Sequence, residues 1–215
     1  RRVHNAVSLA PPIDTRDVWR SRMGISSCDF VVVMAAAFNH HKDHATLLNA
    51  WGHFTRSMPS SPPRRLVLCG RMDGTHQAMQ DLAGNLGISH EVLFHPPIDD
   101  MSGMLGAADL GVLSSHHEGT SNALAEYMLA GLPVISNTSW DEFAGSGVDE
   151  SQWVPPRDPE AMAATLQKLC EDLPLRQQLG KVNRDIALRL FDPDTNNEHH
   201  ARLIDGILRD RGLIS

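Results

Sequence analysis

Two carboxylates, Glu118 and Glu126, stand with seven residues between them, and the first is followed by Gly119-Thr120-Ser121-Asn122. Small and polar residues ahead of a helix leave backbone N–H groups facing outward at its positive end, which suits a phosphate. For a helix starting near Ser121, Glu126 lies about five residues, or ~7.5 Å, along it. A carboxylate there can accept two hydrogen bonds from ribose hydroxyls, as acidic residues do in dinucleotide sites. Lys42, in Asn39-His40-His41-Lys42-Asp43, is a cation that a neighbouring strand end would deliver to the same phosphates. Solvated surface acids would show the same spacing, so spacing alone leaves both readings open.

The elements that must position these residues are visible in the hydrophobic pattern. Asp29 to Met34 and Arg65 to Gly70 are near-continuous apolar runs, as expected of strands buried on both faces. Glu91 to Phe94, Asp109 to Ser114 and Pro133 to Ser136 read as three further strands. Between them lie helical stretches: one from Asp43 with Leu47, Trp51, Phe54 and Met58 on one stripe, others near 75–86, 99–107 and 121–130. Strands alternating with helices predict an α/β fold, a doubly wound, Rossmann-like parallel sheet with helices on both faces. In such a sheet, ligands bind beyond the carboxyl ends of the strands. The polar segments 39–43, Gly70-Arg71-Met72-Asp73-Gly74 and 114–122 all fall there.

After about residue 158 the pattern becomes helical. Asp158-Pro159-Glu160 and Asp192-Pro193 are helix starts, with Asp as N-cap and Pro at the first position. The expected organisation is a linker over 1–13, an α/β core over 14–157 and C-terminal helices over 158–215. Residues 137–153 read as loop with a short helix.

Composition excludes several classes. The chain has 215 residues and a net charge of -7, with 19 Lys and Arg against 26 Asp and Glu. That balance argues against a nucleic-acid partner. The longest apolar run, Phe30 to Phe38, is far short of the ~20 residues of a membrane span. Three widely separated cysteines, Cys28, Cys69 and Cys170, suggest neither a disulfide framework nor a zinc site. A cytoplasmic location is expected.

Together these segments resemble the retaining GT-B glycosyltransferases of family 4. The run from Glu118 through Glu126 to Gly131-Leu132-Pro133-Val134-Ile135 is similar to the family signature. His41 to Ala50 resembles its phosphate-lysine segment, and Leu66 to Gly70, Ala107 to Leu110 and Val154 to Glu160 follow in the family's order. The resemblance implies the C-terminal, donor-binding domain of an enzyme that moves a sugar from a nucleotide diphosphate sugar (UDP, GDP or ADP) to an acceptor hydroxyl. It implies a contact from Lys42 to the diphosphate, Glu118 near the donor sugar, and the backbone of Gly119, Thr120, Ser121 and Asn122 against sugar and phosphates. Glu126 would hold the ribose, residues near His95 to Ile98 would pass the base, and Gly70 and Arg71 would line the nucleotide site. No cofactor or metal is expected.

The acceptor-binding half is expected to precede Arg1, with Val3-His4-Asn5-Ala6-Val7 resembling the hinge. This chain alone is therefore expected to bind nucleotide without turnover. Acceptors of this kind are glycans, lipids or small molecules. A basic C-terminal helix (Arg176, Lys181, Arg184, Arg189) would suit a peripheral position at the inner membrane face, but Glu171, Asp172 and Asp185 favour reading it as an ordinary solvated helix face. The family usually carries an arginine shortly before the lysine. Here Ala37 and Asn39 stand at those places, leaving Arg71 or a histidine to supply the charge. The alternative is a non-catalytic nucleotide-binding or regulatory module of the same fold. Asp192-Pro193-Asp194 matches a metal-binding Asp-x-Asp pattern, but its position reads as an N-cap. His116 and His117 lie beside the proposed sugar site as secondary candidates.

Overall fold

The computed structural model describes residues 4–58, 63–119, 121–138, 143 and 145–211. Thr120, Val3 and Trp140 lie outside the described residues. The order is α1 (Arg16–Arg22), β1 (Phe30–Ala35), α2 (His44–Ser57), β2 (Arg64–Cys69), α3 (His76–Asn85), β3 (Val92–His95), α4 (Met101–Ala107), β4 (Leu110–Leu113), α5 (Asn122–Leu129) and β5 (Val134–Ser136). Three helices follow, α6 (Pro159–Glu171), α7 (Leu173–Leu190) and α8 (Pro193–Asp210).

The five strands form one parallel sheet in the order β3-β2-β1-β4-β5. Alternation along β1 builds two cores, because successive side chains of a strand face opposite ways. Phe30, Val32 and Met34 face a cluster with Leu47, Trp51 and Phe54 of α2 and Met162 and Leu166 of α6. Val31 and Val33 face the other cluster, with Trp19 of α1, Met104 of α4, Tyr127 of α5 and Ile186 of α7. Helices cover both faces, as the sequence predicts for strands this uniformly apolar.

The capping chemistry also holds. Asp43, Asp158 and Asp192 each accept a hydrogen bond from the backbone N–H three residues on, at 3.1, 2.8 and 2.8 Å. Asp192-Pro193-Asp194 is thus a helix start, and among the described residues no cluster of His, Cys, Asp and Glu is disposed to hold a metal. Helix α1 is new: the sequence pattern assigned nothing to residues 16–22. The segment after β5 contains a short 3-10 turn at Glu150–Gln152. There Gln152, 1% exposed, accepts from the Val134 N–H at 2.9 Å and from Asn183 Nδ2 at 2.8 Å. A side-chain amide thereby satisfies the edge of β5.

Sheet order reverses between β1 and β4, which neighbour each other although two strands intervene in sequence. Crevices for ligands open at such a point, outside the carboxyl ends of the strands.

Candidate functional site

The loops leaving β1 and β4 meet across this crevice and zip together. Asp43 N–H donates to the Ser114 carbonyl at 3.0 Å, His116 N–H donates to the His41 carbonyl at 2.9 Å, and Lys42 pairs with Ser115 in an isolated antiparallel bridge. Asn137, at the end of β5 and 2% exposed, accepts from the Ser115 N–H at 2.9 Å. The pairing brings Lys42 Nζ onto Glu118 Oε1. The Ser115 hydroxyl lies 2.8 Å from the same Glu118 oxygen and 3.0 Å from the His41 carbonyl, and donates to one at a time. Lys42 and Glu118 are both largely shielded from water, with side-chain exposures of 22% and 14%. A cation and an anion are therefore held face to face at the switch point, each positioned by a different strand end.

The second group lies along α5. Ser121 caps this helix through its own hydroxyl, which accepts from the Leu124 N–H at 3.4 Å. Asn122 Oδ1 accepts from Asn5 Nδ2 at 2.8 Å, so the incoming chain touches the helix start. Gly119 is open, with no atom within 4 Å of where a Cβ would stand. Glu126 lines a cleft of about 290 Å³ together with Ala35, Ala36, Ala37, Gly70, Arg71, Pro97, Ile98 and Met101. Burial pushes its carboxyl pKa above the ordinary range. The cleft floor requires a residue without a side chain: a Cβ on Gly70 would lie 2.1 Å from the Ala36 carbonyl oxygen.

The sequence candidates therefore come together in two groups, Lys42 with Glu118, and Gly70, Arg71 and Ile98 with Glu126. Residues 119–122 connect them along the chain. Arg71 lines the Glu126 cleft, with its guanidinium exposed and 4.0 Å from Asp73, and it is not paired with the Lys42–Glu118 couple. His116 stands 3.6 Å from Asp43 Oδ2, the N-cap of α2. Three supporting residues have no signal in the sequence beyond polarity. Ser115, Asn137 and Asn5 act through partners 3, 22 and 117 residues away.

His44, the first residue of α2, is buried against Phe38 of the β1 loop, with ring centroids 4.5 Å apart and planes at 16°. Neither ring nitrogen makes a well-aligned hydrogen bond. Burial, reinforced by the Lys42 cation, outweighs the Ala36 backbone and Asp43 and pushes its pKa from 6.5 down to about 4. The unfolded chain then binds the extra proton first, so stability falls as pH drops from about 6.5 towards 4. The expected loss is about 2 kcal/mol at pH 5 relative to pH 8. Urea melts of the wild type and His44→Phe across that range check this: the wild-type slope with pH should flatten by that amount in the variant.

A match to the family of glycosyl transferases group 1 spans residues 15–185. The D-inositol 3-phosphate glycosyltransferase of Corynebacterium kroppenstedtii is 28% identical over 219 residues, covering 94% of this chain and 47% of that protein. The chain spans about half the length of the curated relatives it matches. Among solved structures, WaaG, a glycosyltransferase involved in lipopolysaccharide biosynthesis, superposes with a TM-score of 0.77 at 19% identity, covering 93% of this chain and 55% of that one. Anabaena HepE in complex with UDP and glucose gives 0.78 at 19% identity, covering 89% and 52%. At those identities the superpositions speak for the fold, a parallel α/β domain of the GT-B type. The family match covers the whole of the five-stranded sheet and both groups of site residues, and the chain belongs to the glycosyl transferases group 1.

Proposed function

We propose that this chain is the donor-binding half of a retaining glycosyltransferase of family 4, which transfers a sugar from a nucleotide diphosphate sugar to an acceptor hydroxyl. One observation carries the reading: Lys42 and Glu118 meet at the β1/β4 switch point, and the helix that follows Glu118 delivers a half-buried Glu126 to a cleft lined by Gly70, Arg71 and Ile98. A carboxylate kept from water at a cost in its own ionisation is a candidate for a binding role.

Lys42 and the start of α5 stabilise negative charge as it develops on the leaving diphosphate. Glu118 orients the donor sugar and Glu126 accepts from the ribose. The backbone near Gly119 and Ser121 lies against the phosphates, while Ile98 and its neighbours pack on the base beside Gly70 and Arg71. The reaction needs no metal in this scheme, because cationic and dipolar groups of the chain take that role. Acceptor contacts belong to a preceding half, so residues 1–215 bind donor without turning it over. The acceptor is a glycan, lipid or small molecule, and the setting is cytoplasmic.

A thermal-shift panel of UDP, GDP and ADP and their sugars tests this. At a hundredfold excess over Kd, ligand binding adds about 2.7 kcal/mol, which raises Tm by roughly 5–10 °C for a domain of this size. One nucleotide family should produce the shift, and Glu126→Ala should remove most of it. Silence from all of them at millimolar concentration contradicts the proposal.

A non-catalytic nucleotide-binding module is the second reading, favoured by Ala37 and Asn39 where a second cation is expected. The affinities of UDP and UMP separate the two. A donor site binds the diphosphate more tightly, whereas a module that has lost phosphate affinity binds both equally.

A further inference from the structure

Tyr127 is the chain's single tyrosine, it follows Glu126 directly, and it is fully buried. Its surroundings explain how the crevice stays open. Strands β1 and β2 pair over six registers, but β1 and β4 pair over only two, Val32 with Leu110 and Val33 with Gly111. Strand β1 runs on to Ala35. Backbone N–H groups of a strand alternate sides, so those of Val31 and Ala35 both face β4, below and above the short paired region. Each is met by a side chain. Val31 N–H donates to Asp109 Oδ2 at 2.8 Å, and Ala35 N–H donates to Tyr127 Oη at 2.6 Å. A buried backbone donor without a partner is costly, so the hydroxyl replaces a missing strand bond.

The ring has a fitted seat as well. A Cβ on Gly111 of β4 would stand 2.6 Å from Cγ and Cδ2 of Tyr127, so the ring occupies the space of a side chain that β4 lacks. Ring and hydroxyl together tie α5 to both strands flanking the switch point. Ala35, the residue held, lines the same cleft as Glu126.

We propose that the Tyr127 hydroxyl is a positioning group for Glu126: by fixing against α5 the end of β1 that β4 leaves unpaired, it sets the width of the cleft that receives the ribose. The inference rests on the nucleotide reading of that cleft. It adds to Glu126 a residue that touches no ligand, and it distinguishes the cleft from the Lys42–Glu118 group, which no Tyr127 contact reaches among the hydrogen bonds described.

Tyr127→Phe keeps the ring over Gly111 and removes only the hydroxyl. The test compares UDP, 2′-deoxy-UDP and inorganic diphosphate by calorimetric titration of the wild type and this variant, with amide exchange at Ala35 read in parallel. In the wild type, UDP should bind at least about tenfold more tightly than its deoxy analogue, since a site built for a hydroxyl is left unpaired without it. In Tyr127→Phe that ratio should shrink to below about threefold and UDP should weaken about tenfold, because small misplacements of a binding group are costly. Inorganic diphosphate should change by less than about twofold, and exchange at Ala35 should speed up. Unchanged discrimination overturns the proposal while leaving the nucleotide site intact. Equal weakening of UDP and inorganic diphosphate overturns it too, by showing a general loosening. Failure of the wild type to bind UDP, GDP or ADP removes the nucleotide reading itself and this inference with it.

Discussion

Lys42→Ala is expected to weaken nucleoside-diphosphate binding by about a hundredfold or more. Two losses combine. A charge-assisted hydrogen bond contributes about 1.5–3 kcal/mol, and the variant also leaves Glu118 without its cation. Glu118 is only 14% exposed, and its remaining neighbour in the group is the Ser115 hydroxyl. An anionic ligand then meets an uncompensated carboxylate, and like charges placed together cost several kcal/mol. Titration of UDP, or of whichever nucleotide the panel selects, measures the loss directly. Adding Glu118→Gln to Lys42→Ala should recover part of the affinity, because the repulsion disappears while the lost attraction does not. A single-variant effect below about fivefold, or a double variant no better than the single, would contradict this account of the couple.

The largest effect on stability is expected at the opposite end of the sheet. Arg20→Ala should cost about 3–5 kcal/mol, the usual consequence of breaking a buried ion pair from one side. Arg20 is 2% exposed, and its guanidinium is fully engaged. Nε donates to the Ala107 carbonyl at 3.0 Å, and Nη1 is shared among the carbonyls of Ser26, Ser27 and Asp29 at 2.9–3.0 Å. Nη2 donates to Asp109 Oδ2 at 2.8 Å, and Asp109 also accepts from Arg16 at 2.7 Å and from the Val31 N–H at 2.8 Å. Truncation takes a donor from four carbonyls, of which Ser26 keeps the Asp29 N–H at 3.2 Å, and removes one of the two guanidinium partners of Asp109. Arg20→Lys should recover little, since an ammonium cannot reproduce the planar fork. Denaturant melts provide the reading, and a loss under about 1 kcal/mol would show that the network is dispensable. These residues sit at the amino ends of β1 and β4, so nucleotide affinity of the folded fraction should be unchanged.

Helix α1 also shows where sequence reading reaches its limit. Residues Arg16 to Arg22 include four charged side chains, and only Trp19 and Arg20 are buried. No apolar stripe marks the helix, because its anchor is an arginine whose partners lie 6 to 89 residues away. The sheet was legible for the opposite reason. Strands such as Phe30–Ala35 are buried on both faces, so every position is apolar and the run is visible without its neighbours. Helix starts at Asp43, Asp158 and Asp192 were legible because an N-cap acts over three residues.

The candidate site divides in the same way. Lys42, Glu118 and Glu126 stand at strand ends and on a helix, so local pattern and known topology suffice to bring them near the crevice. The Lys42–Glu118 contact comes with the pairing of the β1 and β4 loops, to which Asn137 adds a bond from the Ser115 N–H. Tyr127 sits among apolar neighbours and reads as one more core position. Only the short β1–β4 register reveals why its hydroxyl is needed there.

The most direct test of the central claim maps a nucleotide onto the folded chain. Amide chemical-shift perturbations of the labelled protein, saturated in turn with UDP, GDP and ADP, report which backbone groups the ligand touches. The account predicts that one nucleotide perturbs Ala35 to Ala37, Gly70, Ile98, Gly119, Ser121, Asn122 and Glu126 most strongly, with Lys42 and Ser115 following the diphosphate. Perturbations centred elsewhere, for instance on the separate groove between Val7 and Leu188, or none with any of the three, would contradict it.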